Sequence, residues 1–141
     1  MDKDIFNKMK NIRKKANDYF CEQMKKNNIK KICSSHGSIL IALYRAENSR
    51  MQMNEIAKTI KRSKSTVTEL VNKLVRLDYV KKEKCSSDSR ITYIKLTKKG
   101  QKIKDKYERI YNNLLEKTFK GFSDDEIRFL KGLLNRLNNN L

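Results

Sequence analysis

Hydroxyl-bearing and cationic side chains are concentrated in the segment from Ser63 to Arg76, which reads SKSTVTELVNKLVR. Serine and threonine hydroxyls can donate and accept hydrogen bonds, and lysine and arginine bind phosphate groups. The apolar residues of the segment recur at spacings of three and four, at Val67, Leu70, Val71 and Leu74. This spacing predicts an amphipathic helix that exposes the hydroxyls near its start and the cations further on. Such a helix suits the major groove of double-stranded DNA.

Two segments with extended character follow this helix, Tyr79–Lys84 and Arg90–Leu96, with the polar turn CSSDS between them. The side chains of the second segment alternate with a period of two, which predicts a β-hairpin. Cations lie along the hairpin at Lys81, Lys82, Lys84 and Arg90. A helix followed by a basic hairpin is the order of a winged helix, in which the helix enters the major groove and the hairpin lies on the neighbouring backbone.

Positive charge is concentrated on the same part of the chain. The 141 residues carry a formal net charge of +18, and residues 58–106 contain 16 basic and 5 acidic residues, a net charge of +11. This distribution indicates an anionic partner, most simply a phosphate backbone. A lysine-rich composition spread over a solvated surface is the alternative that charge alone leaves open.

Few residues could support other chemistry. The chain has one histidine, His36, and neither a glycine-rich phosphate loop nor a nucleophile beside a base, so we expect no enzymatic activity and no cofactor. Cys33 and His36 have the spacing of metal ligands, but no second pair accompanies them, and we expect no metal site. Cys21, Cys33 and Cys85, without a secretion signal, indicate a reducing compartment.

The composition predicts a helical protein without membrane segments. There is no proline and there are only four glycines, which disfavours long irregular loops, and 35% of the residues are charged. No apolar run approaches the roughly 18 residues that span a bilayer. The first residues lack the apolar core of a secretion signal. We therefore expect a cytoplasmic protein with no membrane partner.

Helical periodicity continues on both sides of this region. The predicted helices are 3–28, 35–47, a short one after Asn54, one after Ser63, 98–119 and a last one after Ser123. Their starts are marked by residues suited to capping, namely Ser34 or Ser35, Asn54, Ser63, Thr97, and Ser123 paired with Glu126.

The predicted fold is mostly α with a small β-hairpin wing, a winged helix-turn-helix flanked by N- and C-terminal helices. Residues 35–100 would form the DNA-binding lobe, and residues 1–34 and 101–141 a helical dimerisation region, within one structural domain. The first helix and the last two are more apolar than the lobe requires, which favours a symmetric dimer. The alternative is that they only cover their own core.

The stretch MNEIAKTIKRSKSTVTELVNKLVRLDYV, followed by DSRITYIKLTKKG, resembles the MarR (multiple antibiotic resistance regulator) family of bacterial transcription regulators. The family's wing contains Asp-x-Arg, here Asp88-Ser89-Arg90, and then Leu-Thr-x-x-Gly, here Leu96 to Gly100. The resemblance is strongest over residues 37–101. Family members often have glycine where this chain has Asp78, a position that suits a left-handed residue, and aspartate tolerates that conformation better than most residues.

The resemblance implies a homodimer that binds a pseudo-palindromic operator in double-stranded DNA, as a repressor, with the recognition helix in the major groove and the wing at the minor groove. Arg90 would enter the minor groove while Asp88 holds its guanidinium; an ordinary surface ion pair is the alternative. Ser63 could serve mainly as a helix cap. The residues expected at the DNA are Ser63, Lys64, Ser65, Thr66, Thr68, Lys73, Lys82, Lys84, Asp88 and Arg90.

The resemblance also implies a possible effector, because many family members bind small aromatic anions between the dimer layer and the DNA-binding lobe. Residues expected to line such a pocket are Tyr19, Phe20, His36, Ile39, Tyr44 and Tyr107, with plain core packing as the alternative. Other members respond to cysteine oxidation, for which Cys21 is the candidate, although an inert buried cysteine is the alternative. A nonspecific architectural DNA-binding protein that uses charge alone is the other function left open.

Overall fold

A computed structural model describes residues 3–29, 32 and 34–141, and within them the chain forms seven α-helices and three β-strands. The helices are α1 (Ile5–Lys26), α2 (Ser34–Arg45), α3 (Met53–Ile60), α4 (Lys64–Arg76), α5 (Lys98–Lys102), α6 (Lys104–Thr118) and α7 (Asp124–Asn139). The strands are β1 (Arg50–Gln52), β2 (Val80–Lys84) and β3 (Thr92–Leu96), and a short 3-10 turn, Glu47–Ser49, precedes β1. The predicted fold class, mostly helical with a β-hairpin wing, is confirmed.

The sheet is antiparallel with the strand order β1-β3-β2. The predicted hairpin is confirmed, since Val80 pairs with Leu96 at its base and Lys84 with Thr92 near its tip. The third strand, β1, pairs its three residues with β3. The sequence allows a short extended piece at Met51 and Met53; Met51 does lie in β1, but Met53 begins α3. A three-residue strand is too short to show a period in sequence.

The core lies where α2, α3 and α4 pack against one face of the sheet. Apolar residues at helical spacing in each helix supply it, together with the alternating residues of β3. Each fully buried aliphatic side chain contributes about 1.5–3 kcal/mol relative to exposure. The fully buried members from these elements are Ile39, Leu40, Leu43, Ile56, Val67, Val71, Leu74 and Ile94.

Capping side chains fix the starts of three helices as predicted. Ser63 Oγ accepts a hydrogen bond from the Thr66 N–H at 3.3 Å, and Thr97 Oγ1 accepts one from the Gly100 N–H at 3.0 Å. The Ser123 N–H donates to the Glu126 carboxylate at 2.8 Å, and the Glu126 N–H donates to Ser123 Oγ at 3.2 Å. These bonds satisfy backbone donors that would otherwise lack partners.

Three boundary predictions are wrong. Asn54 does not cap α3, because that helix already begins at Met53; the Gln52 N–H donates to the Glu55 carboxylate at 3.3 Å instead. The helix predicted at 98–119 is interrupted at Ile103, which separates α5 from α6. In α2 the helix already includes Ser34, so the preceding cap position is residue 33, which lies outside the described residues.

Gly100 closes the base of the wing onto the lobe. A Cβ at this position would overlap the Tyr79 carbonyl oxygen and press against Leu96, so only glycine fits the approach. The Gly100 carbonyl oxygen accepts a hydrogen bond from the Tyr44 hydroxyl at 2.9 Å. The Thr97 N–H donates to the Tyr79 carbonyl at 3.1 Å. The glycine of the Leu-Thr-x-x-Gly motif therefore has a packing reason.

The two ends of the chain carry apolar faces that the single chain leaves uncovered. No residue of α7, all of which the structure describes, is buried. In α1 the side chain of Ile12 is 61% exposed. Ile5 and Met9 of α1 line a groove of about 530 Å³ together with Leu134 and Leu137 of α7. Among the described residues, no helix is long and apolar enough to span a bilayer.

Candidate nucleic-acid interface

Helix α4, the predicted recognition helix, exposes the hydroxyl groups that the sequence predicted on its outer face. Val67, Val71 and Leu74 are fully buried and fix its orientation. At its start, Ser63 Oγ donates to Thr66 Oγ1 at 2.9 Å and lies 3.2 Å from Ser65 Oγ. The first turn thus presents a linked group of hydroxyls. Of the other predicted contacts, Lys64, Ser65 and Thr68 are exposed, while Thr66 and Lys73 are half-buried.

Thr68 keeps its hydroxyl proton inside the helix. Its Oγ1 donates to the Lys64 carbonyl at 2.9 Å. The hydroxyl can therefore act outward only as an acceptor, and the methyl group remains available for apolar contact. Those are the features that read an amino group on a base edge or the methyl group of thymine.

Asp88 and Arg90 form a bidentate pair at the wing. Arg90 Nε donates to Asp88 Oδ1 at 3.1 Å, and Arg90 Nη2 donates to Asp88 Oδ2 at 3.1 Å. The Arg90 backbone N–H also donates to Asp88 Oδ1 at 3.0 Å, so the carboxylate shapes the turn as well as the guanidinium. The Arg90 side chain is 89% exposed. The Asp88 carboxylate therefore holds the Arg90 guanidinium in a position that is exposed to solvent.

The charge of this pair is secure near neutral pH. The hydrogen bonds from the Arg90 side chain, and after them the one from its backbone, hold the pKa of the Asp88 carboxyl below its usual range. Because an ionised carboxylate accepts from all three donors, the pair stays assembled while Asp88 is unprotonated.

A hydrogen bond joins the wing to the recognition helix. Lys82 Nζ, on β2, donates to Asn72 Oδ1, on α4, at 2.8 Å. Lys82 was predicted at the DNA, and the structure puts it beside the exposed face of α4 with ammonium donors still available. The apolar spacing of α4 predicts only an outward position for Asn72. A local sequence pattern cannot indicate that the side chain of a helix residue contacts that of a strand residue ten positions later.

The end of α4 is tied to the start of α5. Asp78 has a left-handed backbone, with φ of 62°, as predicted for this position. Its carbonyl oxygen accepts a hydrogen bond from Thr97 Oγ1 at 2.6 Å. Lys99 Nζ donates to the Leu77 carbonyl at 2.8 Å and lies 4.6 Å from the centre of the Tyr79 ring. Sequence reasoning missed Lys99, which here satisfies a carbonyl at a helix C-terminus.

The aromatic residues predicted for an effector pocket are divided between core and cavity. Phe20 and Tyr107 are 3% and 2% exposed, and their ring centres lie 5.0 Å apart. Both also line a cavity of about 340 Å³ between α1, α2 and α6. Tyr107 and Tyr44 line a neighbouring cavity of about 380 Å³. Burial raises the pKa of both tyrosine hydroxyls, so they are neutral hydrogen-bonding groups near pH 7.

Three of the predicted pocket residues line neither cavity. Ile39 is fully buried in the core, and the ring of Tyr19 lies 4.8 Å from Lys117 Nζ. His36 is half-buried, and its Nδ1 is shielded from solvent with no hydrogen-bond partner among the described residues. Burial, and then the charge of Lys73, lower the pKa of His36.

Two arginines, which sequence reasoning did not single out, line the 340 Å³ cavity. They are Arg13, from α1, and Arg62, from the turn between α3 and α4. Their approach depends on how the first helix packs on the lobe, so no local signal in the sequence marks them. Two cations beside aromatic walls give this cavity the chemistry of a site for a small aromatic anion.

The cysteines differ in their surroundings. Cys21 is half-buried on α1, with its Sγ 4.0 Å from Asn17 Oδ1. Cys85 lies in the wing turn, where its Sγ is 3.1 Å from Ser87 Oγ. Hydrogen bonding with Ser87 lowers the pKa of the Cys85 thiol. Cys33 lies outside the described residues, and with it the suggested Cys33–His36 pair.

Comparison with known proteins gives consistent results for sequence and fold. Residues 34–91 match the sequence model of the MarR family. The chain is similar to the MepR protein of S. aureus, solved as a complex with DNA, at 21% identity and a TM-score of 0.86 over 100% of this chain and 99% of that one.

Two further structures have the same fold. A mutant MarR from E. coli, complexed with operator DNA, is 19% identical, with a TM-score of 0.81 over 94% of this chain and 92% of that one. Sco3205, a MarR family transcriptional regulator from Streptomyces coelicolor in complex with DNA, is 18% identical, with a TM-score of 0.85 over 97% and 86%. Residues 34–91 are thus similar in sequence to the MarR family, and nearly the whole chain has the fold of these solved structures.

Proposed function

We propose that this protein is a sequence-specific transcription regulator that binds double-stranded DNA in the cytoplasm as a homodimer and represses the genes it controls. The observation that carries the proposal is the bidentate Asp88–Arg90 pair. It holds an 89% exposed guanidinium on the wing, and a hydrogen bond from Lys82 joins that wing to α4. Relatives with the same fold have been solved on DNA, which supports the same partner here.

The division of labour follows from the chemistry of each side chain. In the major groove, Ser65 and Thr68 meet base edges, while Lys64 and Lys73 meet phosphates. Arg90 enters the minor groove, where a narrow groove concentrates negative potential. Lys82 and Lys84 neutralise phosphates along the wing. Specificity then depends on a few polar contacts, and affinity depends on the many lysines.

The dimer is supported by the apolar faces of α1 and α7. Leu133, Leu134 and Leu137 are 37–44% exposed in the single chain, on one side of α7. Pairing these faces across a two-fold axis would bury them and set the two α4 helices about 34–36 Å apart, one turn of DNA. The operator would then be a pseudo-palindrome, with one half-site for each subunit.

The cavity beside Arg13 and Arg62 supports control by a small aromatic anion. It lies between α1, which belongs to the proposed dimer layer, and the lobe that carries α4. A ligand there would change the angle between the two regions, and so the distance between the two recognition helices. We expect benzoate, used as a probe, to weaken DNA binding by the unaltered protein and to do so less in Arg13→Gln.

Lys10→Gln is the matched control for the ligand, since Lys10 is an exposed cation on the same helix. An equal response to benzoate in the unaltered protein, Arg13→Gln and Lys10→Gln would remove Arg13 from the site. If none of the three proteins responds to benzoate, the proposal of a benzoate-like effector is wrong. That result would not bear on the proposal that the protein binds DNA.

Specific DNA binding is tested by titrating the protein onto the promoter region beside its own gene and onto random duplex of equal length. The proposal expects a protected footprint with two-fold symmetry and an affinity for the promoter at least about 1,000-fold above that for random duplex. Equal affinities with a steep salt dependence and no footprint would instead indicate a nonspecific architectural protein.

A further inference from the structure

Three cations occupy one row across the outer face of the sheet. Arg50 in β1 pairs with Lys95 in β3, and Lys95 pairs with Lys81 in β2. Side chains at directly paired positions lie on the same face, about 5 Å apart at their Cβ atoms. None of the ion pairs among the described residues includes any of these three side chains.

The row lies on the face of the sheet that is opposite to the recognition helix. Successive residues of a strand point to opposite faces. Lys82 is next to Lys81, and its Nζ contacts Asn72 on α4. Ile94, next to Lys95, is fully buried in the core. A duplex bound to α4 and the tip of the wing would therefore leave the row of Arg50, Lys81 and Lys95 free.

The fold itself gives no reason for this row. Like charges directly opposite each other destabilise a sheet. Cations on the edge strands β1 and β2 can prevent pairing with other chains, which would account for Arg50 and Lys81. Lys95, however, lies on the central strand, which has no free edge. A third cation at this position points to an anionic ligand.

The neighbouring row adds an aromatic ring and a carboxylate. Tyr93 pairs with Gln52 on one side and with Glu83 on the other. The Arg50 guanidinium lies 4.3 Å from the centre of the Tyr93 ring, which holds the cation in place. Glu83 Oε2 has no hydrogen-bond partner among the described residues. The face thus combines three cations, one ring and one carboxylate in need of a donor.

We propose that this outer face, formed by Arg50, Lys81, Lys95 and Tyr93, docks an acidic segment of another polypeptide while α4 is engaged with DNA. Carboxylates of the segment would pair with the cation row. Its N–H groups could donate to Glu83 after a rotation of that side chain. A phosphodiester backbone has no such donor and would meet Glu83 as a repelling charge, so the face fits a polypeptide better than a second nucleic acid.

The test uses the full-length protein bound to duplex DNA and a fluorescein-labelled peptide of alternating glutamate and serine as the probe. The outer-face variant combines Arg50→Gln, Lys81→Gln and Lys95→Gln. The matched control removes three exposed cations elsewhere, by Lys102→Gln, Lys106→Gln and Lys120→Gln. Fluorescence anisotropy near physiological ionic strength gives the Kd of the peptide, since distant charges are then largely screened.

We expect the outer-face variant to raise the peptide Kd about fivefold or more and the control to change it less than about twofold. DNA affinity should be the same in both. Equal weakening by both variants would reduce the effect to net charge and overturn the proposal, as would the lack of peptide binding by the unaltered protein. Loss of DNA affinity in the outer-face variant alone would reassign the row to DNA.

Stability provides an independent readout. If the row exists for a ligand and not for the fold, Lys95→Gln relieves repulsion from both neighbours and should leave the thermal midpoint unchanged or raise it. A lowered midpoint would mean that Lys95 serves the sheet itself, and would overturn the assignment.

Discussion

The Lys82 ammonium lies 2.8 Å from Asn72 Oδ1, and this hydrogen bond is a direct link between the wing and the recognition helix. Both residues belong to surfaces that are proposed to contact the same DNA duplex, Asn72 on α4 and Lys82 on the wing. The bond therefore limits how far the hairpin can swing relative to α4. This hydrogen bond matters more for the position of the wing than for the stability of the fold, because hydrogen bonds at the surface contribute little to folding.

We expect Asn72→Ala to weaken binding to a specific duplex about two- to fivefold, because Lys82 loses its fixed position. Lys82→Met should weaken binding more, since it also removes a phosphate contact. If Asn72 acts through Lys82, the effect of Asn72→Ala disappears in the Lys82→Met background. Anisotropy titrations of the four proteins form the cycle, and strict additivity would show that Asn72 acts independently of Lys82.

Arg90→Ala should weaken specific DNA binding about tenfold while the dimer stays intact by gel filtration. Arg90→Lys should restore only part of the loss, because an ammonium cannot make the bidentate pair with Asp88. Asp88→Asn should produce an intermediate loss by freeing the guanidinium. The exposed Lys120→Gln serves as the control for a single charge. Unchanged binding in Arg90→Ala would mean that the wing does not contact the DNA.

Two glycine substitutions should have opposite effects on stability. Gly100→Ala forces a methyl group onto the Tyr79 carbonyl, so we expect a loss of about 1–3 kcal/mol. Gly132 lies within α7 and has no atom within 4 Å of a built Cβ, so Gly132→Ala should gain about 0.5–1 kcal/mol from helix propensity. Urea unfolding measures both values. A neutral Gly100→Ala would contradict the described closure of the wing base.

His36 should make the free energy of unfolding depend on pH. Its pKa in the folded protein is lowered from about 6.5, chiefly by burial. The unfolded chain therefore binds the proton more readily, so the stabilising contribution is complete above pH 6.5 and is lost as the pH falls through the lowered value. Unfolding measured from pH 7.5 to 5 should show this fall in the unaltered protein and a smaller one in His36→Gln.

Because His36 is the only histidine in the chain, its imidazole resonance can be followed by NMR without an assignment experiment. A titration midpoint at or above 6.5 in the folded protein would contradict the burial argument, whatever the unfolding data show.

Leu134→Asp combined with Leu137→Asp should shift the protein towards the monomer and abolish high-affinity operator binding. Both side chains belong to the uncovered face of α7, and charges there oppose the burial on which the proposed dimer depends. Lys131→Gln and Arg136→Gln are the matched control, because they change the net charge equally at exposed positions of the same helix that do not line the groove. Sedimentation measures the oligomeric state, and a dimer that survives the leucine substitutions would place the interface elsewhere.

The sequence predicted the parts of the fold that depend on neighbouring residues. The amphipathic α4, the hairpin and the caps at Ser63, Thr97 and Ser123 were all predicted, because their signals repeat within one or two turns of chain. The left-handed backbone of Asp78 was expected from the resemblance to the MarR family and not from a local signal. The resemblance to the MarR family pointed to Asp88 and Arg90 as a pair, and their hydrogen bonds join residues two apart.

What the sequence missed depends on segments that meet only in the folded chain. β1 is a strand because β3 lies beside it, and Lys99 finds the Leu77 carbonyl across 22 residues. The residues that line the cavities were also difficult to predict, since helical spacing is the same for a core residue and a pocket residue. Ile39 is in the core, whereas Arg13, which lines the cavity, has no distinguishing neighbours in sequence.

If the uncovered face of α7 is buried in the proposed dimer, the amount of protein able to bind an operator depends on its own concentration. A chain that buries its last helix only against a second copy gains stability by mass action. Doubling the synthesis of such a protein more than doubles the dimer when subunits are scarce, and dilution exposes leucines to proteases and to aggregation. The same surface that spaces two recognition helices would thus set a threshold of expression below which the operator stays empty.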